Sequence, residues 1–527
     1  MATPLDHATI GKIHGKAGDG VVHYLGVKYG VLSDRFASAE LPKYAGEEII
    51  DATKHAPAVL SPPDAVDMEN KLIQLPDPHQ FTERQVSDLE GLALNITVPN
   101  EATAASKYPV LAFVHGGGLM IGNSSWPIYD ASRLVRRSVA RRAPVVYVGI
   151  NYRLAIPGFL SSSDLNATGY KANRGFRDQQ LALKWLAKHI AGFGGDPANI
   201  TLSGQSAGSA SVTYHLQSEE PLFKRAILLS GSDLLMKASP PTDDAYDVAC
   251  KALGLEGRPS DEKIKGLTTI AGLDMLGKIG RSAHTGPVVD GDLIKYTNTP
   301  DGLINGERKL PAIKWIESVM IGDCAFDGSI GILSLPPIPN GNAKRFINAA
   351  NRVLTTEQAK TLVEIYSITL STPDDQAHKN TLHFMNDIAF FAPTLAYATH
   401  FTSAGKPVHV YRFNAPNPWP GPNQGESSHI LDVCYLFQNY NDALPTDAAR
   451  KVAEGMADRV LAFTAGEEPF EVWRLDGGKA CVFGESDIQV VSDTPEQTGR
   501  RKEFVRFADD VGFDKLDEVL VAMQKGS

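Results

Sequence analysis

The sequence predicts an α/β fold, a large and mostly parallel sheet with helices on both faces. Apolar, β-branched runs recur at Pro109–Val114, Pro144–Ile150, Ile200–Ser203, Ala226–Leu229, Ser318–Ile321 and Val408–Phe413. They are continuous rather than alternating, which marks strands buried on both sides. Between them lie segments of helical period: within Asp178–Ile190, the residues Leu181, Ala182, Trp185, Leu186 and Ile190 share one face. Strands alternating with helices imply parallel pairing through helical crossovers.

Composition narrows the class further. The chain has 527 residues, 43% hydrophobic and 21% charged, with a net charge of −10. That is ample material for a large core and too apolar for a disordered chain. An acidic balance without a long basic run argues against nucleic acid as a partner. The opening stretch, MATPLDHATIGKIHG, lacks the pattern of a secretory signal, and no apolar run approaches the ~20 residues of a membrane span. Cys250, Cys324, Cys434 and Cys481 are widely spread, which fits reduced thiols and a cytosolic location. Residues 1–527 read as one unit, interrupted by mainly helical insertions at about 238–305 and 336–405 that are expected to line a substrate entrance.

Two glycine motifs each follow a strand. Ile200–Ser203 runs into Gly204-Gln205-Ser206-Ala207-Gly208 and then a helix-compatible run, Ser209–Leu216. This is G-x-S-x-G in the strand–turn–helix setting that exposes a serine hydroxyl above a sheet. The helix start behind Ser206 favours developing negative charge. Upstream, Pro109–Val114 leads into His115-Gly116-Gly117-Gly118-Leu119. A glycine triplet is entropically costly, and close approach of backbone N–H groups to a substrate oxygen gives it a reason.

A serine nucleophile needs a base and an orienting carboxylate, which in such a sheet follow it in the order Asp or Glu, then His. Seven of the 14 histidines lie beyond Ser206. His215 falls in the helix after the turn, and His409 within a strand. His378, His383 and His400 fall in the second insertion, where surface positions are expected. His429 ends a Pro/Gly/Asn-rich loop beyond the strand Val408–Phe413, where an α/β sheet places function, and is the candidate base. For the acid, Gly322-Asp323-Cys324-Ala325-Phe326-Asp327-Gly328 offers both Asp323 and Asp327.

With these residues in view, the chain resembles the type-B carboxylesterases of the carboxylesterase/cholinesterase group, as an intracellular fungal or microbial member. The likeness runs from Val22–Phe36 through the glycine triplet, Asn151-Tyr152-Arg153, Asn173-Arg174-Gly175, Asp178-Gln179 and Phe193–Pro197. It continues through the serine turn, Gly425…His429 and Phe463…Pro469. It implies the α/β-hydrolase fold and a serine esterase acting on a small-molecule ester, with no metal or organic cofactor. The family's acid stands five residues after a strand-ending glycine and just before another, here Asp327, although the family commonly has Glu there. Its oxyanion donors correspond to Gly117, Gly118 and Ala207, and its buried supporting residues to Ser230 and Asp432.

Several positions depart from the pattern. Gln205 stands where Glu is usual, which removes a buried charge beside the site. Leu119 replaces the usual aromatic, Lys28 replaces a proline, and Ser61 and Gly91 mark where a disulfide is absent. Leu119, Met120 and Trp419 are the expected pocket or entrance residues; Trp126, Phe384, Phe390 and Phe391 are further wall candidates. An acyltransferase or lactone-forming enzyme using the same three residues, or an inactive binding module, are the alternative readings.

Overall fold

The structure, a computed structural model, describes residues 4–44, 49–62, 64–75, 85–280 and 282–525. The first three residues of the stretch read for a secretory signal lie outside them. Among the described residues thirteen strands join into one sheet. In chain order they are β1 (Leu5–His7), β2 (Gly11–Ala17), β3 (Val21–Lys28), β4 (Ile50–Ala52), β5 (Ala93–Pro99) and β6 (Tyr108–Val114). There follow β7 (Val146–Ile150), β8 (Gly195–Gln205), β9 (Arg225–Leu229) and β10 (Ser318–Cys324), then β11 (Val408–Phe413), β12 (Lys479–Phe483) and β13 (Ile488–Ser492). The spatial order is β1-β2-β3-β5-β7-β6-β8-β9-β10-β11-β12-β13, with β4 beside β2.

From β7 to β12 every neighbour pairs in parallel, whereas the β1-β2-β3-β5 side and β13 are antiparallel. All six runs read as strands in the sequence fall in this parallel centre. Their continuity has a direct cause. Val110, Ala112 and Val114 of β6 enter one core layer while Leu111 and Phe113 enter the other, and β9, β10 and β11 divide in the same way. The helix Arg174–His189 presses Ala182, Trp185 and Leu186 onto the first layer; the helix Asp447–Ala465 supplies Val452, Met456 and Val460 to the second. A mixed, mostly parallel sheet flanked by helices is the α/β-hydrolase fold.

Both stretches read as insertions are helical, and each packs into a smaller apolar cluster shared with segments outside it. Tyr246, Leu267 and Met275 pack together in the first, Phe346, Leu362 and Phe384 in the second. The last helix of the second stretch, Ala392–Ser403, instead seats Ala396, Tyr397 and Phe401 in the main core. It is the crossover from β10 to β11, so the protruding part ends before it. His400, on this helix, is buried against Leu303 O rather than on the surface, while His378 and His383 are half-buried. Among the described residues no helix is long and apolar enough to cross a membrane.

A buried charge cluster ties the parallel centre to the C-terminal segment. Asp323, in β10, accepts from Arg412 of β11 at 3.1 Å and from Arg500 at 2.7 Å. Arg412 also donates to Asp493 at 3.1 and 3.0 Å and lies over the Phe391 ring at 4.8 Å. Burial raises the cost of ionising Asp323, but the two guanidiniums outweigh it and hold the carboxyl below its ordinary value. Because that value lies below the unfolded chain's, this stability is present at neutral pH and is lost as the pH falls through it. Asp323→Asn leaves two guanidiniums short of a counter-charge and should cost about 3–5 kcal/mol of stability at neutral pH, read by urea unfolding. A loss below about 0.5 kcal/mol, the size of a surface substitution, would show that the cluster does not hold these strands together.

Candidate active site

The parallel strands end at one edge of the sheet, and the loops that leave them build the site. At the end of β8 the chain turns at Ser206, with φ 55° and ψ −121°, and enters the helix Ala207–His215. A non-glycine residue at positive φ is strained, and neighbours on every side hold it. Ser206 N–H donates to Leu229 O of β9 at 2.9 Å. A Cβ at Gly204 would collide with Gly208, and one at Gly208 with Val114 O, so the turn closes only with glycine at both places. Ser206 is 4% exposed.

After β6, Gly117 and Gly118 adopt φ of 103° and 62°. A Cβ at Gly117 would strike Ile121 O, so both conformation and space demand glycine there. Among the described residues the N–H groups of Gly117 and Gly118 donate to no protein acceptor. Ala207 N–H heads its helix and likewise has no helical partner. Tyr152 braces the loop: its hydroxyl donates to His115 O at 3.0 Å, and its ring stacks on the imidazole at 4.6 Å.

The loops after β10 and β11 meet as a pair. Phe326 and Ser428 form a parallel bridge, Phe326 N–H donates to Ser427 O at 2.9 Å, and His429 N–H donates to Ser329 Oγ at 3.1 Å. This pairing sets Asp327 Oδ1 2.6 Å from His429 Nδ1. Asp327 Oδ2 accepts from Cys324 N–H at 2.7 Å. Burial pushes the Asp327 carboxyl upward, opposed by His429 and by that N–H. Asp323, the other carboxylate the sequence offered, is engaged by arginines instead.

The far side of the imidazole is occupied as well. Gln205 Nε2 donates to His429 Nε2 at 3.1 Å, and among the described residues no hydrogen bond joins Ser206 Oγ to the ring. Phe390 covers one side of it, centroids 5.3 Å apart. Deeper in, Asp432 Oδ2 accepts from Tyr411 OH at 2.9 Å and from Ser230 Oγ at 3.5 Å, while Asp432 Oδ1 accepts from Val433 N–H. Burial, with Asp327 nearby, pushes the Asp432 carboxyl up to about 6.

The structure also brings in residues the sequence reading did not single out. Glu69, on the helix Ala65–Ile73, is buried and accepts from Tyr129 OH at 2.8 Å. Burial carries its carboxyl up to about 7, with His429 acting in the opposite sense. A glutamate among polar neighbours on a short helix reads as solvent-facing, so no local signal marks it. Asn386, whose Oδ1 receives Gly328 N–H at 3.1 Å, is equally silent in the sequence.

The expected pocket residues fare differently. Leu119 is wholly buried in the main core, with its backbone at positive φ. Trp419 packs in the second core layer against Tyr440, its indole N–H directed to Ala443 O at 3.4 Å. Phe384 joins the second insertion's apolar cluster, and Phe391 lies under Arg412. Met120 is half-buried, with Thr285 Oγ1 3.8 Å from its sulfur. Trp126 borders a cleft of about 630 Å³, together with His23, His55, Asn95, Asp130 and Tyr147. That cleft does not include Ser206, Asp327 or His429. All four cysteines are buried and free of disulfides. No group of His, Cys, Asp or Glu among the described residues is arranged to hold a metal ion.

Known proteins share this fold. The model of the "Carboxylesterase family" matches residues 3–479. The para-nitrobenzyl esterase of Bacillus subtilis is 28% identical over 519 residues, covering 94% of this chain and 97% of its own. The mouse pyrethroid hydrolase Ces2a is 29% identical over 466 residues, 83% of this chain and 78% of its own. Among solved structures, carboxylesterase EST55 of Geobacillus stearothermophilus superposes with a TM-score of 0.74 at 26% identity, covering 94% of this chain and 99% of its own. These relatives span bacteria and mammals, so they reach the family and not a fungal or intracellular branch. The chain belongs to the carboxylesterase family and is an ester-hydrolysing enzyme on the α/β-hydrolase fold.

Proposed function

We propose that the enzyme hydrolyses small carboxylic esters through an acyl-enzyme on Ser206, with His429 as base and Asp327 as its orienting acid. The observation that carries this is the 2.6 Å contact of Asp327 Oδ1 with His429 Nδ1, at the same sheet edge as a serine on a strained turn. In this reading Asp327 keeps the proton on Nδ1, which leaves Nε2 as the basic nitrogen. Ser206 Oγ attacks the ester carbonyl as its proton passes to Nε2. The carbonyl oxygen, now negative, takes N–H bonds from Gly117, Gly118 and Ala207. Collapse breaks the C–O bond, and the alcohol leaves with the proton from Nε2. Water, deprotonated by the same nitrogen, then cleaves the acyl-enzyme and restores the serine.

Ser230 and Asp432 support the floor beneath His429, and Phe390 and Met120 border the substrate. Every step uses the chain's own groups. A cytosolic location belongs to the same reading, supported by the four unpaired thiols.

Ser206→Ala should lower kcat on p-nitrophenyl esters by a factor on the order of 10⁶. A fluorophosphonate should add to Ser206 alone, as located by peptide mass spectrometry; retained turnover, or an adduct elsewhere, would refute the assignment. Asp327→Asn should cost roughly 10⁴ in kcat, because the amide favours the wrong tautomer. Asp323→Asn, assayed cold enough to stay folded, should keep activity within about a hundredfold of wild type, the upper end for residues that act by positioning alone. The reverse ranking would hand the acid's role to Asp323.

A further inference from the structure

We infer that Gln205 is a positioning residue whose amide N–H competes with the Ser206 hydroxyl for the single lone pair on Nε2 of His429. The inference rests on the reading of His429 as base. With Nδ1–H given to Asp327, Nε2 has one lone pair to offer, and Gln205 Nε2 donates to it at 3.1 Å. Both residues are buried, so water does not contest the bond. The other end of the amide, Oε1, lies against Gly116 and is a buried acceptor with no partner in the structure. A neutral imidazole takes the N–H end of the amide. A protonated one has no lone pair left, so in the acylation step the amide must release Nε2 or turn its unpartnered oxygen toward it.

A glutamate at this place acts in the opposite sense. Its carboxylate only accepts, and it rewards the protonated ring at every stage. Among the described residues, the other charged or titratable groups around the ring are Asp327 on the loop after β10, Glu69 on the helix Ala65–Ile73 and Asp432 at the start of the helix Leu431–Phe437. Asp323, with Arg412 and Arg500, stands behind Asp327. All of these stay in place when position 205 changes, so substitution there isolates the contribution of the amide.

Two variants test it. Gln205→Glu favours the protonated ring, so more alkaline conditions are needed to free the base. The acid limb of its kcat/KM profile should move to higher pH by about one unit or more. Gln205→Met removes the competitor at nearly the same volume. On the alkaline plateau its Ser206 should react with a fluorophosphonate about fivefold faster than wild type, the fold-change of one neutral hydrogen bond. A merely structural role predicts slower reaction and an unmoved limb. An acid limb unchanged in Gln205→Glu, or Gln205→Met reacting no faster, overturns the inference. Labelling of wild type away from Ser206 would instead sink the proposed function on which it stands.

Discussion

The parallel pairing of β8, β9, β10 and β11 is the constraint on which the site depends. Parallel neighbours end at the same edge, so the segments after β10 and β11, 89 residues apart at Cys324 and Phe413, leave the sheet side by side. Ser206 follows β8 directly. Asp327 and His429 sit on loops after adjacent strands, and the Phe326–Ser428 bridge extends the β10–β11 pairing beyond the sheet proper. The hydrogen bond between Asp327 and His429 is therefore a continuation of the strand register. It does not rely on two flexible loops meeting by themselves.

How much of this was legible in the sequence depends on where the determining contacts lie. The six central strands were readable because both of their faces are buried, and burial on both faces leaves a continuous apolar run. The outer strands escaped notice: β2 alternates buried and exposed positions over seven residues, and β13 has no fully buried residue. The serine turn and the glycine triplet were readable because backbone geometry dictates residue type locally. The residues by themselves left Asp323 and Asp327 open, and only the family resemblance pointed to Asp327, since the arginines that claim Asp323 lie 89 and 177 residues away. Leu119 and Trp419 show the same limit, because an apolar side chain on a loop gives no sign of whether it faces a cavity or the core.

Electrostatically, the region concentrates carboxyl groups out of water and balances each one differently. Asp323 has two guanidiniums and stays ionised. Asp432 and Glu69 have tyrosine hydroxyls and, among the described residues, no cation in direct contact, and burial drives both upward. Asp327 has the imidazole. A site with this many buried acids tolerates a neutral residue next to the nucleophile, and Gln205 is that residue. In the proposed mechanism His429 faces an amide on one nitrogen and a carboxylate on the other, an asymmetry that favours the tautomer able to accept a proton from serine.

In the proposed mechanism the serine turn and the glycine loop place their N–H groups around one point in space. A crystal structure of the phosphonylated enzyme tests it most directly. The phosphoryl oxygen should lie about 2.7–3.1 Å from the N–H nitrogens of Gly117, Gly118 and Ala207, with phosphorus bonded to Ser206 Oγ. An oxygen turned away from those three groups, with the adduct intact, would contradict the account.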